Sequence, residues 1–200
     1  MKRTGLLATV AACAGAIVVT GVVAYSGREP DLVVRPSAPV VQQVAPAVNF
    51  FERLTHESVD AELTAAGVAR RSSGACTDRT RRGCTSYEGL RRGTLDGLLR
   101  FVRESGCPVT VSGGTELGHQ KMMYGHENGY KVDIMPTDCV DSHIYRTMTK
   151  VGSRKDSSPM YRGLRTGELY VDERRDHWDI FYGPEWCAEK MVRLRRGHCE

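Results

Sequence analysis

The chain has 200 residues, of which 40% are hydrophobic and 26% charged, and its formal net charge is +4. This length suits one globular domain with attachments, and the composition is ordinary for such a domain. The charge is too small to indicate nucleic-acid binding by itself, although it suits work near an anionic wall or membrane surface.

The N-terminal segment, residues 1–27, predicts export. Lys2 and Arg3 precede an uncharged stretch whose apolar centre is about long enough to cross a bilayer as a helix. Positive charge ahead of such a stretch keeps the start inside and sends the rest out. An uncleaved anchor fits the length best, and a signal peptide cleaved after Ala24 or a lipoprotein modified at Cys13 are the alternatives. All three place the following domain outside the cytoplasm, either membrane-anchored or secreted.

Residues 28–46 contain four prolines and no hydrophobic period, which predicts a linker. The domain then occupies residues 47–200. Its first apolar residues, between Phe50 and Ala66, recur at roughly helical spacing and end at Gly67. Residues 71–86 are polar and carry two cysteines, which predicts a disulfide-stapled loop.

The middle and end of the domain alternate between helical and extended patterns. Residues 85–88 have the form of a capping box and precede leucines at helical steps, which predicts an amphipathic helix ending near Ser105. Strands are predicted over residues 108–112 and 130–135, a short helix within 138–152, and a closing hairpin from residues 169–171 and 177–182. The expected fold is α+β, with helices packed on a mainly antiparallel sheet.

Six cysteines follow the N-terminal segment, and an even number in an exported domain indicates three disulfides. No Cys-x-x-Cys pair is present, which argues against a zinc cluster. Pairing of nearest neighbours is predicted: Cys76–Cys84, Cys107–Cys139 and Cys187–Cys199.

Two histidines and one aspartate predict a metal site. Imidazole and carboxylate are good Zn²⁺ ligands, and Gly129 allows a sharp turn between His126 and Asp133. A catalytic zinc usually has three protein ligands and one open position, and His177 on the final hairpin is the expected third ligand. A carboxylate must also carry the proton of the attacking water, and Glu173 is preferred to Asp172 and Asp176.

These residues resemble the zinc D-alanyl-D-alanine carboxypeptidases. The resemblance rests on Ser112-Gly113-Gly114-Thr115, on His126-x-x-Gly129-x-x-x-Asp133, and on an acidic residue shortly before His177-Trp178. It covers roughly residues 72–182 and extends to the vancomycin-resistance dipeptidases, the phage L-alanyl-D-glutamate endolysins and the hedgehog signalling domain. Within the superfamily the chain is most like secreted actinomycete members with a Gly-Gly-Thr-Glu-x-Gly-His segment, matched here by residues 113–119.

The resemblance implies the small α+β domain of that superfamily and activity on peptidoglycan stem peptides. It implies that His126, Asp133 and His177 bind Zn²⁺ and that Glu173 is the catalytic carboxylate. The predicted function is therefore that of a zinc metallopeptidase, a hydrolase acting as an endopeptidase or a D,D-carboxypeptidase.

The chain departs from the family pattern at three places. Arg174 stands where the family has an acidic residue three positions before the last histidine, so Glu173 needs a bulge to reach the metal. Asp179 replaces the second histidine of a His-x-His pair, and Thr115 replaces a substrate-binding arginine. The missing arginine favours an endopeptidase. The departures also support two alternatives: a zinc-containing binding domain without turnover, and a purely structural disulfide-stapled domain.

Five residues near the predicted ligands are candidates for substrate binding: Ser112, Thr115, Glu116, His119 and Tyr124. For His119 the alternatives are that it replaces one of the metal ligands, or that it has a surface position or a role behind the ligands. For Tyr124 the alternative is packing. The expected partners are the peptidoglycan peptide and, if the N-terminal segment is not cleaved, the membrane. No nucleic acid is expected, and the protein is expected to be a monomer.

Overall fold

The structure, a computed structural model, describes residues 49–119, 121–173 and 176–200. The predicted export segment, residues 1–27, and the predicted linker, residues 28–46, lie outside the described residues. Within the three described ranges, no helix combines the length and apolar character needed to cross a membrane.

The described ranges contain four α-helices whose ends follow from local signals. Thr55 and Thr137 each accept a backbone N–H three residues ahead, which caps the first and third helices. Gly106, with φ of 64°, ends the second helix in the left-handed conformation. The helices are α1 (His56–Ala65), α2 (Arg92–Ser105), α3 (Asp138–Thr147) and α4 (Glu185–Leu194).

In the described part of the chain, seven strands form one sheet with the order β1-β2-β3-β7-β6-β5-β4. Of the strand pairs in these residues, β1–β2 is parallel and the other five are antiparallel, so the predicted α+β fold with a mainly antiparallel sheet is confirmed. The strands are β1 (Ala69–Arg70), β2 (Thr110–Gly113), β3 (Lys131–Ile134), β4 (Thr149–Ser153), β5 (Pro159–Arg162), β6 (Glu168–Asp172) and β7 (Trp178–Tyr182).

The start of the first helix was predicted too early. Phe50 and Phe51 lie before α1 and are exposed, because Thr55 caps the helix at His56. The predicted capping box was also wrong. The helix that follows it begins only at Arg92, and Glu88 instead accepts the backbone N–H of His56 in the first turn of α1.

The sheet buries both of its faces. Alternate residues of a strand point to opposite sides of the sheet. Tyr170, Ile180 and Tyr182 therefore pack with α2 and α3, whereas the residues next to them along the same strands face α4. The sequence pattern did not predict α4, β4 or β5. The core on the α2 side includes Leu95, Leu98, Phe101, Val132, Ile134, Ile144 and Ile180, and that on the α4 side includes Met160, Leu169, Val171, Phe181, Ala188 and Met191.

Among the residues that the structure describes, three disulfides staple the domain, and they join the nearest-neighbour cysteines as predicted. Cys76–Cys84 closes the polar loop after β1, and Cys107–Cys139 ties the start of β2 to the first turn of α3. Cys187–Cys199 holds the C-terminal segment against α4. Such bonds indicate an oxidising environment outside the cytoplasm.

Candidate metal centre

A glycine turn places His126 beside β3. His126–Asn128 forms a single 3-10 turn, and Gly129 ends it with φ of 77° and donates its N–H to the His126 carbonyl at 2.8 Å. A β-carbon at Gly129 would lie 2.4 Å from the Gly89 carbonyl oxygen. Only glycine fits this positive-φ position without displacing backbone, so the turn brings His126 back over Asp133.

The His126 ring is oriented by the neighbouring backbone. Its Nδ1 donates to the Gly114 carbonyl at 3.0 Å. This leaves Nε2 pointing at two carboxylates, 3.3 Å from Asp133 Oδ1 and 3.6 Å from Asp179 Oδ1. A backbone carbonyl on one ring nitrogen is the usual way in which a metal-binding histidine is held in the correct tautomer.

Asp133 lies between two strands that limit its position. Gly113 is its partner on β2 and Asp179 its partner on β7. A β-carbon at Gly113 would lie 2.3 Å from Asp133 Oδ2, so glycine makes room for the carboxylate. This contact gives a physical reason for the first glycine of the Ser112-Gly113-Gly114 turn.

His177, the predicted third ligand, also reaches this point. It directly precedes β7, and its Nε2 lies 3.6 Å from Asp133 Oδ1. Its Nδ1 donates to Asp176 at 3.1 Å, which turns Nε2 toward the site. The structure therefore brings His126, Asp133 and His177 together around one carboxylate oxygen.

His119 joins the site as well. Its ring stacks on that of His126, with 4.1 Å between centroids, and its Nε2 lies 3.3 Å from Glu116 Oε1. His119, His126 and Asp133 form a candidate metal-binding group, because their ligand atoms all lie within 4.8 Å of one another. Of the roles expected for His119 from the sequence, this position is in accord with that of a replacement ligand.

Two buried carboxylate oxygens indicate whether a cation fits between these residues. Asp133 Oδ1 and Asp179 Oδ1 are buried and have no hydrogen-bond partner among the described residues. Ligands about 2.0–2.1 Å from a tetrahedral zinc lie about 3.3–3.4 Å from each other. The contacts of 3.3 and 3.6 Å from His126 Nε2 to these two oxygens suit such a shared centre. The donor set is therefore compatible with zinc.

The charged groups of the site shift one another's pKa values. Burial alone would lower the pKa of His126, but the carboxylates of Asp133 and Asp179 outweigh burial and raise that pKa to about 10. Burial opposes ionisation of the two aspartates. His126 beside Asp133, and Lys131 beside Asp179, nevertheless keep both carboxyl pKa values below their ordinary range. Without a metal, the site holds a proton on His126 at neutral pH.

Glu173, the predicted catalytic residue, lies across the final hairpin from His177. Its N–H donates to the His177 carbonyl at 3.0 Å, so the hairpin brings the backbones of the two residues together. The bulge expected before His177 stays a prediction. Its carboxylate forms a two-pronged ion pair with Arg154, 2.8 Å from Arg154 to Oε2. The rival Asp172 accepts a hydrogen bond from Tyr145, and Asp176 orients His177.

The proposed substrate-binding residues occupy different surroundings. Thr115 is fully buried and donates to the carbonyls of Ser86 and Glu88, whereas Glu116 accepts N–H groups from Ser86 and Gly114.

Tyr124 and Ser112 have different surroundings. Tyr124 packs against Tyr130 and Trp186. Ser112 lines a second cavity, between the polar loop and the candidate site, which Asp133 and His177 also line. Substrate binding by these residues stays a prediction, and for Thr115 and Glu116 the contacts indicate a structural role.

A cleft of about 520 Å³ opens onto the candidate metal group. His119, His126, His177 and Glu173 line it together with Asp133 and Asp179. Asp179, Lys131 and Arg154 lie at the site but were not predicted to do so from the sequence. Asp179 carried one signal, since it lies two residues after His177 on the same strand face, whereas Arg154 carried none. The basic residues of the cleft are Arg82, Lys131, Arg154, Lys155, Arg195 and Arg196.

The described fold and site define an exported-type, disulfide-stapled α+β domain with a candidate His-His-Asp metal group. Comparison with known proteins finds no family model, no curated protein and no solved structure that matches the chain.

Proposed function

We propose that this protein is an extracytoplasmic zinc metallopeptidase that hydrolyses the stem peptides of peptidoglycan. The observation that carries the proposal is the convergence of His126, Asp133 and His177 on Asp133 Oδ1, a buried oxygen without a hydrogen-bond partner among the described residues. The three residues come from a turn, a strand and a hairpin, and the same three correspond to the zinc ligands of the family that the sequence resembles.

Peptide hydrolysis adds water to the carbonyl carbon, breaks the C–N bond and moves a proton to the leaving nitrogen. A zinc ion bound by His126, Asp133 and His177 would polarise the carbonyl and lower the pKa of the attacking water. The polypeptide would supply the proton transfer. Glu173 lines the cleft beside His177, and its carboxylate would accept the proton of the water and pass it to the leaving amine.

Arg154 has a defined part in this proposal. It holds both oxygens of Glu173 and also bonds Asp156, so in the substrate-free protein the catalytic carboxylate is restrained. Proton transfer by Glu173 requires that one oxygen leave Arg154 when substrate enters. The arginine would then be available to bind a substrate carboxylate, in place of the arginine that is missing at Thr115.

The decisive experiment incubates zinc-loaded protein with purified muropeptides and identifies the products by mass spectrometry. We expect cleavage by the wild type and a loss of about 10²–10⁴-fold in rate for Glu173→Gln, the range that a general acid–base residue contributes. Asp172→Asn is the matched control and should keep the wild-type rate, because Asp172 is bonded to Tyr145. Equal product from wild type and Glu173→Gln would remove Glu173 from the mechanism.

The alternative is a zinc-containing binding domain without turnover, and the ion pair between Glu173 and Arg154 favours it. This alternative predicts binding of muropeptides, one bound zinc and no cleavage product from any variant. The purely structural alternative predicts no zinc at all, which elemental analysis of the purified protein measures directly.

A further inference from the structure

Asp179 lies at the same buried centre as the proposed zinc ligands, although in the sequence resemblance it is only a departure from a His-x-His pair. It is directly opposite Asp133 in the register of β3 and β7. Its exposed fraction is 5%, its Oδ1 has no hydrogen-bond partner among the described residues, and that oxygen is 3.6 Å from His126 Nε2. Two buried carboxylates therefore approach one imidazole nitrogen from two neighbouring strands.

Lys131 explains why the second carboxylate is tolerated and how it is oriented. Its Nζ donates to Asp179 Oδ2 at 2.6 Å, which leaves Oδ1 toward His126. Asp133 and Asp179 carry two negative charges and Lys131 carries one positive charge. A further cation, Arg154, lies 3.9 Å from Asp179 Oδ2 and is already paired with Glu173 and Asp156. With His126 and His177 neutral, Asp133 has no cationic partner among the described residues, and a buried charge without a partner is costly. Either a proton on a histidine or a metal ion would compensate this charge.

A metal ion satisfies the geometry better than the proton does. A proton on His126 Nε2 points in one direction, whereas two carboxylate oxygens lie 3.3 and 3.6 Å from this nitrogen, and neither makes a well-aligned hydrogen bond with any of the described residues. We propose that Asp179 is a ligand of the same ion, so that His126, Asp133 and Asp179 form its buried set of ligands. Lys131 is then a positioning residue that balances the second carboxylate.

This assignment rests on the proposed zinc-dependent reaction but revises its ligand set, because Asp179 takes the place of His177 as the third ligand. The side chain of His177 is 27% exposed, against 9% for His126 and 7% for Asp179. His177 stands at the solvent side of the site, next to Glu173. A three-ligand buried set leaves this side for substrate, as a catalytic zinc site requires.

The test measures zinc affinity instead of activity. Purified full-length protein is stripped of metal and titrated with Zn²⁺ against a chromogenic chelator. We expect one zinc per chain for the wild type, the number that such a site holds. Asp179→Asn should lose at least about 100-fold in affinity, since loss of a partner behind a ligand costs about 10–100-fold. Asp156→Asn, a carboxylate of the same cleft that is paired with Arg154, is the matched control and should change affinity only a few-fold.

A second variant keeps the test decisive if Asp179→Asn does not fold. Asp179→His retains a ligand atom, so it should bind zinc more tightly than Asp179→Asn. If Asp179→Asn is unfolded, the expected zinc affinity of Asp179→His is within about tenfold of that of the wild type. The visible spectrum of the Co²⁺-loaded protein supplies an independent readout, because it changes when a ligand is lost.

The outcomes separate this inference from the proposed function. Zinc binding by the wild type with unchanged affinity and Co²⁺ spectrum in Asp179→Asn overturns the role of Asp179 and leaves the peptidase proposal standing. Absence of zinc binding by the wild type overturns both. Folded Asp179→His with no measurable zinc binding also counts against the assignment.

Discussion

At the scale of single residues, the site is a balance of buried charges. Asp133 and Asp179 would repel each other as cross-strand neighbours if no cation lay between them. His126 and Lys131 supply that compensation when no metal is bound. A glycine turn and a histidine before Asp133 identify it from the sequence, whereas the one signal for Asp179 is its position two residues after His177.

The raised pKa of His126 predicts that the metal-free protein loses stability in alkali. The ordinary pKa of 6.5 applies to the unfolded chain and a value of about 10 to the folded protein. The folded state therefore binds the proton more tightly, and this stabilisation is complete below pH 6.5 and is lost as pH rises through about 10. We expect the free energy of unfolding to fall by up to about 1.4 kcal/mol per pH unit between pH 7 and 9.

Urea unfolding in the presence of a chelator measures this dependence. The control is His126→Asn, which has no titrating ring and should show a much flatter profile over the same range. A wild-type profile as flat as that of His126→Asn would show that His126 does not carry the proton.

At the scale of elements, the ends of helices and the polar loop are decided by contacts from distant segments. Thr85 donates its hydroxyl to the carbonyls of Arg71 and Ser112 instead of capping the next helix. Glu88 accepts a backbone N–H in the first turn of α1 and does not cap α2. A short capping motif was therefore misassigned, because its polar groups satisfy backbone atoms that are remote in sequence.

The three disulfides are predicted to differ in their contribution to stability. Their loops span 8, 12 and 32 residues for the Cys76, Cys187 and Cys107 bonds respectively. A longer loop restricts the unfolded chain more. Replacing both cysteines by alanine should lower the free energy of unfolding by about 2–3 kcal/mol for the shortest loop and about 4 kcal/mol for the longest.

Denaturant titration of the three paired variants checks this order, and the Cys187–Cys199 variant serves as the intermediate reference. If the Cys76–Cys84 variant were the least stable of the three, loop entropy would not be the dominant contribution.

At the scale of the whole domain, residues that follow α4 form part of the cleft wall. Arg195, Arg196 and His198 line the cleft, and the Cys187–Cys199 bond holds this segment in place. Among the described residues, the side chains of Arg82, Lys155 and Arg196 have no ion-pair partner. The cleft therefore presents unpaired positive charge around its acidic centre, which suits a ligand that carries carboxylates.

This surface predicts salt-sensitive binding to cell-wall peptide. Arg82→Ala combined with Arg196→Ala should weaken binding to isolated peptidoglycan about two- to thirty-fold at low salt, since exposed ion pairs contribute about 0.2–1 kcal/mol each. The matched control, Arg103→Ala with Lys150→Ala, removes the same charge from residues that do not line the cleft. Co-sedimentation at two salt concentrations measures both. Equal weakening by the two double variants would indicate a general charge effect.

The sequence by itself determined the features that have local signals. Neighbouring cysteines predicted the disulfide pairs, hydrophobic periods predicted the second helix and the final hairpin, and a glycine turn predicted His126 beside Asp133. Only the tertiary structure decided that Asp179 and Lys131 meet at this centre, that His119 stacks on His126, and that Arg154 holds Glu173. The reason is that a strand pattern shows which residues share a face, whereas strand pairing decides which charges become neighbours.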